Sequence, residues 1–196
     1  MRIVAGRHRG RTLVAPKGQS TRPTADRVRE AMFNVVEHAP WSPGLRGARV
    51  VDLFAGSGAL GLEALSRGAA FCLFVDSDAT AREAIDANVA ALRLGGESAV
   101  DWQDATRLRA LAGAAPFDLA ILDPPYGQGL RAPALVALAA GGWLASGAIA
   151  LAEGGAGEAD LEVFGYERLD VRDWGAARVS FLRLTAGRTA SQCPPA

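Results

Sequence analysis

Two short stretches of this sequence carry residue types that can do chemistry together. The first, Asp52-Leu53-Phe54-Ala55-Gly56-Ser57-Gly58-Ala59-Leu60-Gly61, ends an apolar run with a carboxylate and enters a glycine-rich turn. The second, Asp123-Pro124-Pro125-Tyr126, closes the apolar run Asp118-Leu119-Ala120-Ile121-Leu122. The tetrapeptide has what is needed to hold a planar amino group. An exocyclic amino nitrogen is a poor nucleophile because its lone pair is delocalised into the ring. Hydrogen bonds from its hydrogens to the Asp123 carboxylate and the Pro124 carbonyl favour a pyramidal nitrogen with its lone pair aimed at an electrophile. Pro124 and Pro125 stiffen the loop and fix the direction of that carbonyl. Tyr126 offers a face on which a base stacks, worth roughly 1–3 kcal/mol. Asp-Pro also occurs in plain turns. The whole tetrapeptide at the end of a buried run, downstream of a glycine loop, favours the clamp.

The glycine loop alone is ambiguous. Gly56-Ser57-Gly58-Ala59-Leu60-Gly61 matches the dinucleotide fingerprint, and Asp76 lies twenty residues past Gly56, where a ribose-binding acid belongs. Asp52 and Asp123 separate the readings. A carboxylate just before the loop repels a pyrophosphate but can bind the ammonium of a methionine moiety. No dehydrogenase mechanism requires Asp123. The two motifs together read as methyl transfer from S-adenosylmethionine to an exocyclic nitrogen of a nucleobase. The cofactor set is then Asp52, Ala55, Gly56, Ser57, Gly58, Asp76, Ser77, Asp104 and Ala105. Asp104 either accepts from the adenine amino group or is a loop acid or helix cap. The sulfonium already activates the methyl, so alignment is most of the task, worth roughly 7–11 kcal/mol. Neither a metal nor a covalent intermediate is needed. A base inside a helix cannot reach such a crevice, so the target is unpaired or flipped out.

The elements that must position these residues alternate. Strands are expected at Val50–Phe54, Phe71–Val75, Ala99–Trp102, Phe117–Leu122 and Ala148–Ala152. Helices are expected at Ala59–Arg67, Ala79–Leu94 and Ala132–Ala140, with a helical turn near Arg107–Leu111. Continuous apolar strands belong to a parallel sheet covered on both faces. Two more strands, Phe164–Val171 and Arg178–Leu184, have only a loop between them. This is not the symmetric plan of dinucleotide dehydrogenases. It suits an α/β fold with a seven-stranded, mostly parallel sheet and one antiparallel strand. Ahead of it, residues 1–20 suggest a small hairpin or extended arm, and residues 24–37 a helix capped by Thr24. The expected domains are a basic extension over 1–38, a catalytic domain over 39–185 and a disordered tail over 186–196.

Net charge is zero, but its distribution is uneven: residues 1–38 hold eight Lys and Arg against three acids. Arg7, Arg9, Arg11, Arg22, Arg27 and Arg29 are candidate phosphate contacts. Arg27 and Arg29 equally suit ion pairs with Asp26 and Glu30. His8 and His38 are isolated, and Trp41, Trp102, Trp143 and Trp174 read as packing residues. Cys72 and Cys193 make neither a disulfide framework nor a metal site. No apolar run reaches the ~20 residues of a membrane span and no signal-peptide core is present. A cytoplasmic protein is expected.

The order of these segments resembles the D-type bacterial 16S rRNA (guanine-N2) methyltransferases, which modify guanine(966). The likeness covers roughly residues 2–184 and is most specific in Arg9-Gly10-Arg11, Arg22–Asn34, Asp52–Ala69 and Asp123–Tyr126. The resemblance implies a class I, Rossmann-like methyltransferase fold with strand order 3-2-1-4-5-7-6. It also implies an N-terminal hairpin that helps bind RNA, and 16S rRNA within an assembled or assembling 30S subunit as partner. By position, Gly56 and Gly58 line the cofactor, Asp76 holds the ribose, Asp104 the adenine and Asp123 the target amine. Two departures stand out: Asp76 replaces the family's usual Glu, and Ala5-Gly6 replaces its usual pair of glycines.

The leading expectation is therefore S-adenosylmethionine-dependent methylation of a guanine N2 in 16S rRNA by a monomer. One alternative is adenine-N6 methylation of DNA or RNA, since the clamp serves any exocyclic amine. Another is a non-catalytic rRNA-binding assembly factor, and a dehydrogenase is a distant third. Replacing several arm arginines is expected to weaken RNA binding and flatten its salt dependence. Filter binding across a salt series checks this, and an unchanged affinity would sink the arm's role.

Overall fold

The computed structural model describes residues 1–16 and 26–185. Its elements are α1 (Asp26–His38), β1 (Arg49–Leu53), α2 (Ala59–Ser66), β2 (Phe71–Val75), α3 (Ala79–Leu92), β3 (Ser98–Asp101), β4 (Phe117–Leu122), α4 (Arg131–Ala140), β5 (Leu144–Gly155), β6 (Tyr166–Trp174) and β7 (Ala177–Leu184). The seven strands form one sheet in the order β3-β2-β1-β4-β5-β7-β6. The pairs from β3 through β5 are parallel; β7 runs antiparallel to both β5 and β6.

Side-chain alternation splits the apolar strands between two cores. Val50, Phe74, Ile121 and Leu151 face one core with Phe33 of α1, Leu62 of α2 and Ile85 of α3. Val51, Val75, Leu122 and Ala152 face the other with Leu135 of α4 and Trp143. Helices therefore cover both faces, which is why the strands read as unbroken apolar runs. Asp78 caps α3, accepting from the Thr80 N–H at 2.7 Å. Such a cap stabilises a helix by about 1 kcal/mol.

The N-terminal arm is a small antiparallel turn of chain. Arg2 bridges Thr12, and the Ile3 and Leu13 N–H groups donate to Arg11 and Met1 carbonyls at 3.0 Å. Ile3 and Leu13 enter the core beneath α1 and α2. Glu63, on α2 and fully buried, accepts the N–H groups of Val4 at 2.7 Å and Ala5 at 2.9 Å. Arg67 Nε donates to the same carboxylate at 2.8 Å. Paired in this way, the buried charge avoids the penalty of an isolated one.

Several expectations shift. No helix forms at 107–111; Asp104 organises a turn to Arg107, and Leu108 and Leu111 pack against the α4 core. The Trp143 indole and the Gly141 carbonyl satisfy that irregular backbone at Arg109 and Leu111. Strand β5 is longer than Ala148–Ala152, because Glu153, Gly154 and Gly155 continue pairing with β7. The final loop shrinks to Gly175-Ala176 between paired Trp174 and Ala177. Trp143 is buried, but Trp102 is 61% exposed, its indole N–H donating to the Ser77 carbonyl. Among the described residues no helix is long and apolar enough to cross a membrane. The Thr24 cap, Arg22 and the tail from residue 186 lie outside the described residues.

At the arm's turn Gly6 has φ +76°, and a Cβ there would stand 1.9 Å from the Ser66 carbonyl oxygen. Ala5 has φ −141° and ψ 177°, extended backbone open to any residue. Gly6→Ala is therefore expected to destabilise the protein by about 2 kcal/mol or more, and Ala5→Gly by less than about 1 kcal/mol. Equilibrium denaturation of both variants measures the difference, and equal losses would contradict the assignment.

Candidate active site

Asp52, Asp76, Asp104 and Asp123 come from four adjacent strands. Asp52 lies in β1, Asp76 and Asp123 immediately follow β2 and β4, and Asp104 follows β3 by a short turn. All four line one cavity of about 1200 Å³ at the carboxyl ends of the strands. The cavity is the crevice expected where the strand order reverses. Tyr126 lines it too, as do Pro124 and Pro125, so both sequence motifs meet there.

The glycine loop takes its shape from its own backbone and from Asp76. Gly58 N–H donates to the Ala55 carbonyl at 2.7 Å, and Gly56 N–H to Asp76 Oδ2 at 2.8 Å. Asp76 Oδ1 accepts the Asp78 N–H at 2.9 Å. Gly56 and Gly58 have φ values of +56° and +77°, and Phe54, without a glycine's freedom, has +58°. Left-handed geometry at a non-glycine residue costs of order 1–3 kcal/mol and collects at functional sites. Phe54 lines the cavity.

Asp52 is 1% exposed and accepts the Gly61 N–H, in the first turn of α2, at 2.8 Å. Burial pushes its carboxyl well above the usual range, against the pull of that N–H; Asp123 and Asp76 push the same way. Such a group gains from a cation placed beside it. Asp104 Oδ1 accepts the Thr106 hydroxyl at 2.7 Å and N–H at 2.8 Å. These bonds hold its carboxyl below the usual range. So Asp104 is both turn-former and cavity acid.

The Asp-Pro-Pro-Tyr loop is tied down from β5 and beyond. The Tyr126 hydroxyl donates to Glu153 Oε1 at 2.5 Å. Gly127 N–H donates to Glu158 Oε1 at 3.0 Å, and Arg131 Nη2 to Glu158 Oε2 at 2.5 Å. Burial raises the Glu158 carboxyl, but the N–H groups of Gly155 and Gly127 and the Arg131 guanidinium outweigh it and hold it low.

Ala55, Ser57 and Ser77 also line the cavity. Gly58 and Ala105 do not: Gly58 caps α2 against Phe74 and Ile85, and Ala105 is buried in the α4 core. The arginines divide. Arg9 and Arg11 are exposed, and Arg27 is exposed and lines the cavity. Arg7 is exposed and paired with Glu97. Arg29 is corrected from a phosphate contact to a structural cation. It is 1% exposed, bonded to Asp26 Oδ1 at 2.8 Å and the Arg2 carbonyl at 2.5 Å, and 3.7 Å from buried Glu63. A group so placed cannot meet a phosphate without abandoning these partners.

Other residues enter without a sequence forecast. Asn88 is buried; its amide donates to the Ser57 carbonyl at 2.9 Å and the Val14 carbonyl at 3.0 Å, and accepts the Val14 N–H at 2.8 Å. It pins the arm to the glycine loop. Met1 and Trp174 also line the cavity. Glu153 had a legible signal, an acid ending an apolar strand before two glycines, the same pattern as Asp52 and Asp123.

This sheet order with acids at the strand ends defines a class I, Rossmann-like fold of the S-adenosylmethionine-dependent methyltransferases. The donor set fits that cofactor: a buried carboxylate for an ammonium, strand-end acids for ribose and adenine hydrogens, and an open loop backbone between them. A family model described as conserved hypothetical protein 95 matches residues 1–183. Ribosomal RNA small subunit methyltransferase D of Escherichia coli K12 is 39% identical over 153 residues, covering 78% of this chain and 74% of that one. Its namesake in Haemophilus influenzae is 34% identical over 155 residues, covering 78% of each. The solved Escherichia coli structure of yhhF superposes with TM-score 0.80 at 32% identity, covering 95% of this chain and 99% of that one. The chain belongs to this family, the D-type 16S rRNA methyltransferases, and S-adenosylmethionine is its cofactor.

The raised Asp52 carboxyl sets a pH dependence. The folded chain holds that proton more tightly than the unfolded chain, so its stabilising contribution is complete below the ordinary aspartate value of 3.8. It is lost as pH rises through the raised value. Asp52→Asn is expected to flatten this part of the stability profile in cofactor-free protein. It is also expected to weaken S-adenosylmethionine binding by about tenfold or more. Calorimetric unfolding against pH and titration with cofactor test both, and unchanged cofactor affinity would remove Asp52 from the site.

Proposed function

We propose that this protein transfers a methyl group from S-adenosylmethionine to the exocyclic N2 amine of a guanine in 16S rRNA. The observation that carries the reading is the meeting of the Asp123–Tyr126 loop and the glycine loop in one cavity. When bound, S-adenosylmethionine supplies a methyl group already activated by its sulfonium. The protein's work is then positional. Asp123 and the Pro124 carbonyl accept the two hydrogens of the amine and direct its lone pair. The Tyr126 ring stacks on the base, held by its hydroxyl bond to Glu153. A base enters this crevice only when it leaves its own stack. The exposed Arg9 and Arg11, with Arg27 at the cavity, contact phosphates and set the RNA's register. The partner is 16S rRNA in an assembled or assembling 30S subunit, and the enzyme acts as a monomer in the cytoplasm.

Purified protein incubated with labelled S-adenosylmethionine and small subunits lacking the modification is expected to yield labelled N2-methylguanosine after RNA digestion. Asp123→Ala is expected to lower that yield about a hundredfold or more. Labelled N6-methyladenosine would keep the clamp and change the base. No label in the presence of measurable cofactor binding would overturn the reading in favour of an RNA-binding protein.

A further inference from the structure

Glu153 is 1% exposed, lines the same cavity as Asp123 and Tyr126, and accepts the Tyr126 hydroxyl. Its place follows from register. Strands β4 and β5 run parallel with Leu122 opposite Ala152, and Asp123 and Glu153 are the residues that follow on each, both lining the cavity. By alternation these two share the face of Ile121 and Leu151, which belong to the core beneath α2. Two carboxylate side chains therefore stand side by side at the mouth of the sheet, one just past the end of β4 and the other in β5.

We propose that Glu153 is the specificity-determining residue of the site, accepting the N1–H of guanine and thereby admitting guanine and rejecting adenine. This rests on the N2-methylation reading above. Once Asp123 and the Pro124 carbonyl hold the amine hydrogens, the ring positions flanking that amine face the groups beside the clamp. The guanine N2 amine is flanked by a donor, N1–H, and an acceptor, N3. The adenine N6 amine is flanked by the acceptor N1 and, beyond C5, the acceptor N7. A carboxylate next to the clamp finds a donor on guanine in one orientation and on adenine in neither. Adenine would set lone pair against lone pair where water is excluded. An ionised carboxylate accepts at two oxygens with about four lone-pair sites, and the Tyr126 hydroxyl meets one of them at Oε1. Sites built around a hydrogen bond to their substrate discriminate strongly against analogues that lack the group.

The test compares two bases that both carry the C2 amine. Small subunits are reconstituted with guanosine or 2-aminopurine riboside at the methylated position, and kcat/KM for label transfer is measured with the full chain. In 2-aminopurine N1 is a bare acceptor. The parent enzyme is expected to prefer guanine by about a hundredfold or more. In Glu153→Gln the amide can accept from N1–H or donate to a bare N1, so this ratio is expected to fall about tenfold or more. Tyr126→Phe removes the hydroxyl but keeps the carboxylate, so its ratio is expected to stay at the parent's value even where its rate falls. Each ratio is taken within one protein, so a smaller folded fraction cancels. A parental ratio in Glu153→Gln, or a collapsed ratio in Tyr126→Phe, overturns the proposal. Label at adenine N6 in the parent enzyme would overturn the N2 reading and this proposal together, before any variant is compared.

Discussion

The site exists because β1 lies between β2 and β4. After β1 the chain crosses to α2 on one face; after β4 it crosses to α4 on the other. The two loops leave the sheet in opposite directions, and the sheet edge between them cannot be closed by backbone. Side chains at the ends of β1 and β4 are thus the natural lining of the opening. The register is firm, with Asp52 paired to Ile121 along parallel strands buried on both faces. A slip by one residue would send each acid into the opposite core, which fixes the positions of Asp52 and Asp123 as tightly as the packing of Val50 or Leu122.

Buried charge is handled differently at the two ends of α2. At its start, Asp52 meets one backbone N–H and the cavity, and its burial is costly. Further along, Glu63 is surrounded by two backbone donors and the guanidinium of Arg67. The first arrangement leaves electrostatic capacity for a ligand. The second consumes it in holding the arm, and removing one partner from such a cluster costs far more than the cluster contributes as a whole. The arm is thereby part of the folded body through Glu63, Ser66, Ile3 and Leu13.

The sheet was legible because parallel strands buried on both faces leave unbroken apolar runs, and because Gly68 and the Gly95-Gly96 pair punctuate the helices. The acids were legible as polar residues interrupting or ending those runs. What escaped notice depends on tertiary contact. Arg29 looks like any solvated helix cation; only the packing of α1 on α2 brings it to Glu63. Asn88 sits in an ordinary helical stretch, and its partners at Ser57 and Val14 are far away in sequence. Trp102 follows an apolar strand and so suggests burial, yet β3 is the sheet's edge and its end is open. No helix follows the turn at Asp104 because partners elsewhere take the backbone groups a helix would pair: the Arg109 N–H donates to Gln103, the Arg109 carbonyl accepts from Trp143, and the Leu111 N–H donates to Gly141.

Asn88 touches the arm on one side and the glycine loop on the other. One side chain divided between two segments makes their order a common quantity. A displacement of either segment must therefore break or re-aim the amide's bonds to the other. Any such coupling is reciprocal and equal in both directions. The arm and the glycine loop are thus joined by one buried side chain, so a change at Asn88 removes partners from both at once.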